Sequence, residues 1–117
     1  MKISNYFKRS EFKCKCKLKC GKTTVDVELI KVLDDVRRYF NKPIIINSGH
    51  RCPEHNKRIG GRKHSKHIDG IAVDIVVKGI NPHVVYEYLN QKYPDRYGIG
   101  DYKRFTHIDV RDPRKRW

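Results

Sequence analysis

Long apolar runs are missing from this 117-residue sequence. No stretch approaches the roughly twenty apolar residues that span a bilayer. Met1-Lys2-Ile3-Ser4-Asn5 opens directly into polar sequence, without the apolar core of a secretory signal. The chain is therefore expected to be soluble, made in the cytoplasm and not exported by a cleaved signal. Acidic residues are scarce as well: 13 Asp and Glu against 27 Lys and Arg give a formal net charge of +14. Such a surplus draws the chain to polyanions over a Debye length of about 8 Å at physiological salt, whether nucleic acid, anionic wall polymers or a membrane surface. The basic residues are spread from Lys8-Arg9 through Lys13 to Lys22, Arg58 to Lys66 and Arg111 to Arg116. With no recognition helix and no aromatic-basic RNA motif among them, nucleic acid is not the expected partner. Internal repeats and low-complexity segments are absent too. The length suits one core, so one domain acting as a monomer is expected.

Cysteine is sparse but not absent. Cys14, Cys16, Cys20 and Cys52 follow a C-x-C-x3-C spacing with the fourth far away, unlike the paired C-x2-C of zinc ribbons. Four cysteines allow two disulfides in an oxidising compartment, four thiolates on one metal in a reducing one, or unpaired core residues. The reading adopted is a structural zinc on all four, tying the amino-terminal segment to the loop at Cys52. That segment, residues 1–22, is a basic arm that needs docking or cross-linking to be ordered, ahead of a core over 23–117.

With Thr23 or Thr24 as cap, Leu29, Leu33, Val36 and Phe40 draw one apolar stripe on a helix that stops before Asn41-Lys42-Pro43. Ile44-Ile45-Ile46 reads as a buried strand ending at Asn47-Ser48-Gly49, and Pro53 starts a short helix through Ile59. A loop over 60–66 precedes a nearly all-apolar strand from Ile71 to Val77. Asn81-Pro82 starts a helix ended by Pro94, with Val85 and Leu89 inward. Tyr97 to Tyr102 and Phe105 to Val110 form a hairpin turning near Lys103-Arg104. The expected class is α+β: a small antiparallel sheet flanked by two to three helices.

Asp74 is the anomaly in the apolar strand, because a carboxylate there is costly to bury without a compensating cation or hydrogen bonds. Strand alternation places it on one face with Ala72 and Val76. In the last strand Phe105, His107 and Asp109 share a face, the two ionisable groups roughly 6 to 7 Å apart. His67, seven residues before Asp74, completes a set of two imidazoles and a carboxylate. With a fourth position open, that set suits a catalytic zinc, and also Fe(II) or Mn(II).

Ser65-Lys66-His67-Ile68-Asp69-Gly70-Ile71-Ala72-Val73-Asp74 resembles the S-x-H-x-x-G-x-A-x-D signature of the M15 family of zinc D-Ala-D-Ala carboxypeptidases. Thr106-His107-Ile108-Asp109-Val110-Arg111 resembles its closing H-x-D element, and Ser48-Gly49-His50-Arg51 its S-G-[YH]-R element. Similar stretches at Cys52-Pro53-Glu54-His55-Asn56 and Gly98-Ile99-Gly100 extend the likeness over most of residues 44–111.

The resemblance implies the fold shared by these enzymes and hedgehog signalling domains, a sheet with zinc on one face. It implies His67, Asp74 and His107 as ligands and Arg51 as a clamp for a substrate carboxylate or carbonyl, a task suited to a guanidinium fork. Arg51 also reads as a solvated or structural arginine. Family branches place the general base three or two residues before the last ligand. Those positions here are Arg104 and Phe105, neither of which takes a proton. Asp109 is the candidate to accept a proton from the attacking water, with Asp101 as runner-up; Asp109 reads equally as a carboxylate that orients a ligating imidazole. Ser65 either hydrogen-bonds substrate or caps its turn.

The implied activity is zinc-dependent hydrolysis of stem peptides in bacterial peptidoglycan, by a D-Ala-D-Ala carboxypeptidase or an endopeptidase. The context implied is a phage lysis enzyme, a phage-particle component or a cytoplasmic recycling enzyme, with the positive charge serving adhesion to anionic wall polymers. The competing class is a catalytically inactive zinc-containing binding module of the same fold. A nucleic-acid binder with an incidental metal site ranks below both.

Overall fold

The computed structural model describes residues 3–16, 25–61, 65–67, 70–111 and 113–117. Cys20, Thr23 and Thr24 lie outside the described residues.

A single 3-10 turn, Arg9–Phe12, precedes the first α-helix, α1, Val27–Phe40. This helix starts later than the threonines suggested. Its cap is Asp26, whose side chain accepts a hydrogen bond from the Glu28 backbone N–H at 2.8 Å and satisfies one of the otherwise unpaired amides of the first turn. Asn41 ends it in the left-handed region at φ 53°, which asparagine tolerates better than most residues. Leu29, Ile30, Val32, Leu33 and Val36 form its buried face.

Strand β1 runs Ile44–Ser48, helix α2 Pro53–Arg58, strand β2 Ala72–Val77 and helix α3 Pro82–Lys92. Strands β3, Gly98–Asp101, and β4, Thr106–Asp109, form the expected hairpin, and β5, Lys115–Arg116, follows. The sheet order is β1-β2-β4-β3-β5. Pairing is antiparallel except between β3 and β5, where Gly98 faces Lys115 and Ile99 faces Arg116 in parallel register. The expected antiparallel sheet is thus a mixed one within the α+β class.

The expectation of a fully buried β1 is corrected. Ile44 and Ile46 are buried in the apolar core while Ile45 is 53% exposed, because side chains alternate along the strand and Ile45 lies on the sheet face away from that core.

Strands β2 and β4 occupy the middle, and their alternation divides the sheet chemically. Val73, Ile75 and Val77 join Ile99 and Ile108 in one apolar cluster with Leu29, Leu33, Val36, Val85 and Leu89. Ala72, Asp74, His107 and Asp109 belong to the alternate positions, with Asp74 directly opposite His107 and Ala72 opposite Asp109. The apolar half makes these central strands rigid, and the polar half displays the chemistry.

The amino-terminal arm docks on this core through Phe7 and Phe12, both almost fully buried with ring centroids 5.9 Å apart. His50 donates its backbone N–H to the Phe12 carbonyl at 2.9 Å. Gly49 makes that approach feasible, since a Cβ there would lie 2.7 Å from the Phe12 Cα and carbonyl oxygen. Gly49→Ala is accordingly expected to lower stability by about 1–3 kcal/mol, the usual cost of overpacking against backbone that cannot yield. A urea melt checks this; an unchanged midpoint would contradict the contact.

Candidate metal centre

Three segments meet above the polar face of β2 and β4. Asp74 Oδ1 lies 2.9 Å from His107 Nδ1, and Asp74 Oδ2 lies 3.4 Å from His67 Nε2. The donor atoms of His67, Asp74 and His107 lie within 4.8 Å of one another, and all three residues are buried. The sequence-predicted ligands therefore converge.

Each imidazole is held by the nitrogen turned away from Asp74. His67 Nδ1 is 2.8 Å from the Gly49 carbonyl oxygen, an acceptor, so Nδ1 carries the proton and Nε2 keeps its lone pair toward the cluster. His107 Nε2 is 2.7 Å from Asp109 Oδ2, which makes Nδ1 the inward donor. Such outer hydrogen bonds fix the tautomer and ring plane of a ligating histidine. Two neutral imidazole nitrogens and one carboxylate at this separation fit a zinc-class divalent ion, with room left for substrate.

Asp109 is fully buried and gripped by the Arg111 guanidinium, with Nε to Oδ1 and Nη2 to Oδ2 both at 2.7 Å. Gly98, opposite Asp109 in the β3–β4 register, makes room: a Cβ there would stand 2.5 Å from Asp109 Oδ1 and 2.6 Å from Arg111 Nε. Burial raises the Asp109 pKa, but hydrogen bonds from His107 and Arg111 outweigh it and bring the group down to about 2. Burial likewise opposes ionisation of Asp74, and the two histidines that face its carboxylate, His107 and His67, override it, holding the carboxyl well below its usual range. Burial pulls His107 down, whereas its bonds to Asp109 and Asp74 raise it on balance. All three shifts describe one alternating array: carboxylate, imidazole, carboxylate, guanidinium.

The remaining predicted residues separate. Arg51 stands at the cluster's rim, its guanidinium reaching Ser48 Oγ at 3.1 Å, Asn56 Oδ1 at 3.3 Å and Asp74 Oδ2 at 3.4 Å. Ser65 accepts from the His67 backbone N–H at 3.2 Å, the turn-capping geometry, and also lines the cleft. Asp101 turns elsewhere: its carboxylate pairs with His83 Nδ1 on α3 at 2.7 Å and does not line the cleft.

The cleft encloses roughly 570 Å³. Besides Arg51, Ser65 and the ligand set, its walls include Lys66, Arg111 and Lys115 as cations and Tyr102, Phe105 and Trp117 as aromatics. Trp117 had no sequence signal. It reaches the site because its backbone N–H donates to the Ile99 carbonyl at 3.2 Å, which brings its ring centroid to 5.0 Å from that of His107. Its indole N–H donates to the Tyr102 hydroxyl at 2.6 Å. Arg111 was visible only as the end of the H-x-D-x-R stretch; its two-residue spacing from Asp109 is the clue that identifies the pair.

A second group of donors lies outside this cleft. Cys14, Cys16 and Cys52 are buried, with sulfur atoms within 4.8 Å of one another.

No curated protein matches the chain. A family model described as Peptidase M15 matches residues 5–109, a span that takes in most of the arm, all three ligands and Asp109. Matched over nearly its whole length, the chain belongs to the peptidase M15 family, a family of metallopeptidases.

Proposed function

We propose that this protein is a zinc peptidase that hydrolyses a peptide bond in the stem peptides of bacterial peptidoglycan. The observation that carries the reading is the convergence of His67, Asp74 and His107 beside Arg51 in one cleft of an M15 chain. A divalent ion bound by the three ligands supplies Lewis acidity, polarising a carbonyl and lowering the pKa of water toward about 7.

The chain's own residues do the rest. Asp109 and the Gly49 carbonyl hold the two imidazoles in their ligating tautomers. Arg51, steadied by Ser48 and Asn56, offers N–H groups to a carboxylate or carbonyl of the peptide. The Ser65 hydroxyl is placed at the cleft to donate to substrate while its oxygen caps the turn. Lys66, Arg111 and Lys115 favour a substrate bearing carboxylates, as stem peptides do, and the aromatic walls exclude water around it. Asp109 acts as a positioning residue, because a fully buried carboxylate in a double hydrogen bond with Arg111 is poorly placed to collect a proton from the cleft. The likeness of residues 65–74 to the carboxypeptidase signature supports a D-Ala-D-Ala carboxypeptidase or a related endopeptidase. The surplus of cationic residues suits a lysis enzyme working on an anionic wall.

One observation favours a second reading. Among the described residues lining the cleft, Asp74 is the single carboxylate, and it is a ligand. A binding module would hold metal and wall peptide without turnover. Mass spectrometry of purified wall peptides before and after incubation separates the two. Cleavage that a chelator abolishes supports the peptidase, and the mass lost names the bond. Peptides bound but left intact would overturn it in favour of the module.

A further inference from the structure

We infer that Cys14, Cys16 and Cys52 form a second, structural metal site, separate from the histidine-aspartate centre, which takes a thiophilic divalent ion of the zinc class. This does not depend on the peptidase reading.

The three sulfur atoms come from distant parts of the chain, two from the arm and one from the loop before α2, yet they cluster within 4.8 Å. A tetrahedral ion with sulfur ligands at about 2.3 Å sets sulfur-sulfur distances of about 3.8 Å, so small adjustments close the site. The cysteines form their own buried cluster, apart from the aliphatic core. Among the described residues no disulfide joins them. Among the described cysteines a disulfide between any two would leave the third sulfur beside it out of the bond, whereas a metal uses all three.

Backbone amides already point at the sulfurs. The Cys52 N–H donates to Cys14 Sγ at 3.2 Å, and the His55 N–H donates to Cys52 Sγ at 3.4 Å. Backbone N–H donors of this kind orient ligating sulfurs from outside the coordination shell. Two residues of the sequence are candidates for the fourth corner: Cys20, four positions after Cys16, and His55, three after Cys52, whose Nδ1 is buried with no hydrogen-bond partner among the described residues but stands outside the 4.8 Å sulfur group.

The site would lock the segment that shapes the cleft. Cys52 follows Arg51, His50 is bonded to the arm at Phe12, and the Gly49 carbonyl orients His67. A metal across the arm and Cys52 therefore fixes the substrate clamp and one imidazole from behind.

The test is metal content and cobalt spectroscopy on the full chain kept reduced. Two equivalents of zinc per chain are expected, falling to one in His67→Ala, with the retained equivalent lost in a chain that also carries Cys16→Ser. If the cysteine variant does not fold, cobalt(II) substitution of His67→Ala provides the answer: a sulfur-to-cobalt charge-transfer band in the near ultraviolet is expected. X-ray absorption at the retained zinc should show three or four sulfur neighbours at about 2.3 Å. A single equivalent lost entirely in His67→Ala, a neighbour shell of nitrogen and oxygen only, or cysteines recovered as disulfides from metal-free protein would each overturn the inference. Failure of the catalytic reading leaves a different trace, the sulfur-bound equivalent surviving without hydrolysis.

Discussion

Replacing Asp74 with Asn should lower kcat/KM by at least about a thousandfold and leave the histidine-aspartate centre nearly empty of metal. The substitution keeps the side chain's shape and removes its charge. Asp74 is the anion that both imidazoles and Arg51 face, at 2.9 Å, 3.4 Å and 3.4 Å. An amide at that position would put a weak neutral ligand, or an N–H donor, where the ion must sit. Lewis-acid stabilisation of a developing oxyanion is worth several kcal/mol, and each 1.36 kcal/mol is a factor of ten in rate, about a thousandfold in all. Circular dichroism should stay native-like, since β2 is anchored on its other face by Val73, Ile75 and Val77. Activity retained at full metal occupancy in this variant would remove Asp74 from the ligand set.

Asp109 should give the second large effect, of a different kind for each substitution. Asp109→Ala strips a fully buried carboxylate from Arg111 and from His107 Nε2 together. Breaking one member of a buried charge pair costs about 3–5 kcal/mol, a large share of the 5–15 kcal/mol typical of a whole domain, so a marked drop in melting temperature is expected. Asp109→Asn keeps the shape and an acceptor oxygen, and should instead lower metal affinity by about 10–100-fold. Saturating zinc then separates positioning from proton transfer. If Asp109 orients His107, excess metal restores most of kcat. If Asp109 is the base, kcat stays depressed with the centre filled, and the positioning role is wrong.

The same residues show where sequence reasoning reached and where it stopped. Asp74 was legible because a charge within Ala72-Val73-Asp74-Ile75-Val76-Val77 violates the apolar pattern, and strand alternation then assigned its face. His107 and Asp109 followed from the same period of two. The antiparallel register that sets Asp74 opposite His107 could not be read, since it depends on the hairpin and on how β2 and β4 meet. Strand β5 was missed for a plain reason. Lys115-Arg116 has no hydrophobic pattern, and it is held by backbone bonds such as Lys115 N–H to the Tyr97 carbonyl. The wall it carries, Lys115 and Trp117, was missed with it. The start of α1 was misplaced because threonine and aspartate both serve as caps, aspartate the better of the two, and the stronger cap two to three residues downstream was passed over for Thr23 or Thr24. Asp101, taken as a possible proton acceptor from its place in the hairpin, is drawn off by His83, a contact between β3 and α3 that no local pattern announces.

During synthesis the strand order delays the centre. Strands β1 and β2 follow each other closely and can pair early, but the other edge of β2 must wait for β4, with His107 emerging 33 positions after Asp74. At translation rates of about 5–20 residues per second, that interval lasts roughly 2–7 s. A nascent chain in this window carries His67 and Asp74 without their third ligand, so its candidate metal centre is incomplete. It also presents the unpaired margin of its most apolar strand, which makes the window before β4 arrives the period of greatest exposure to misassembly.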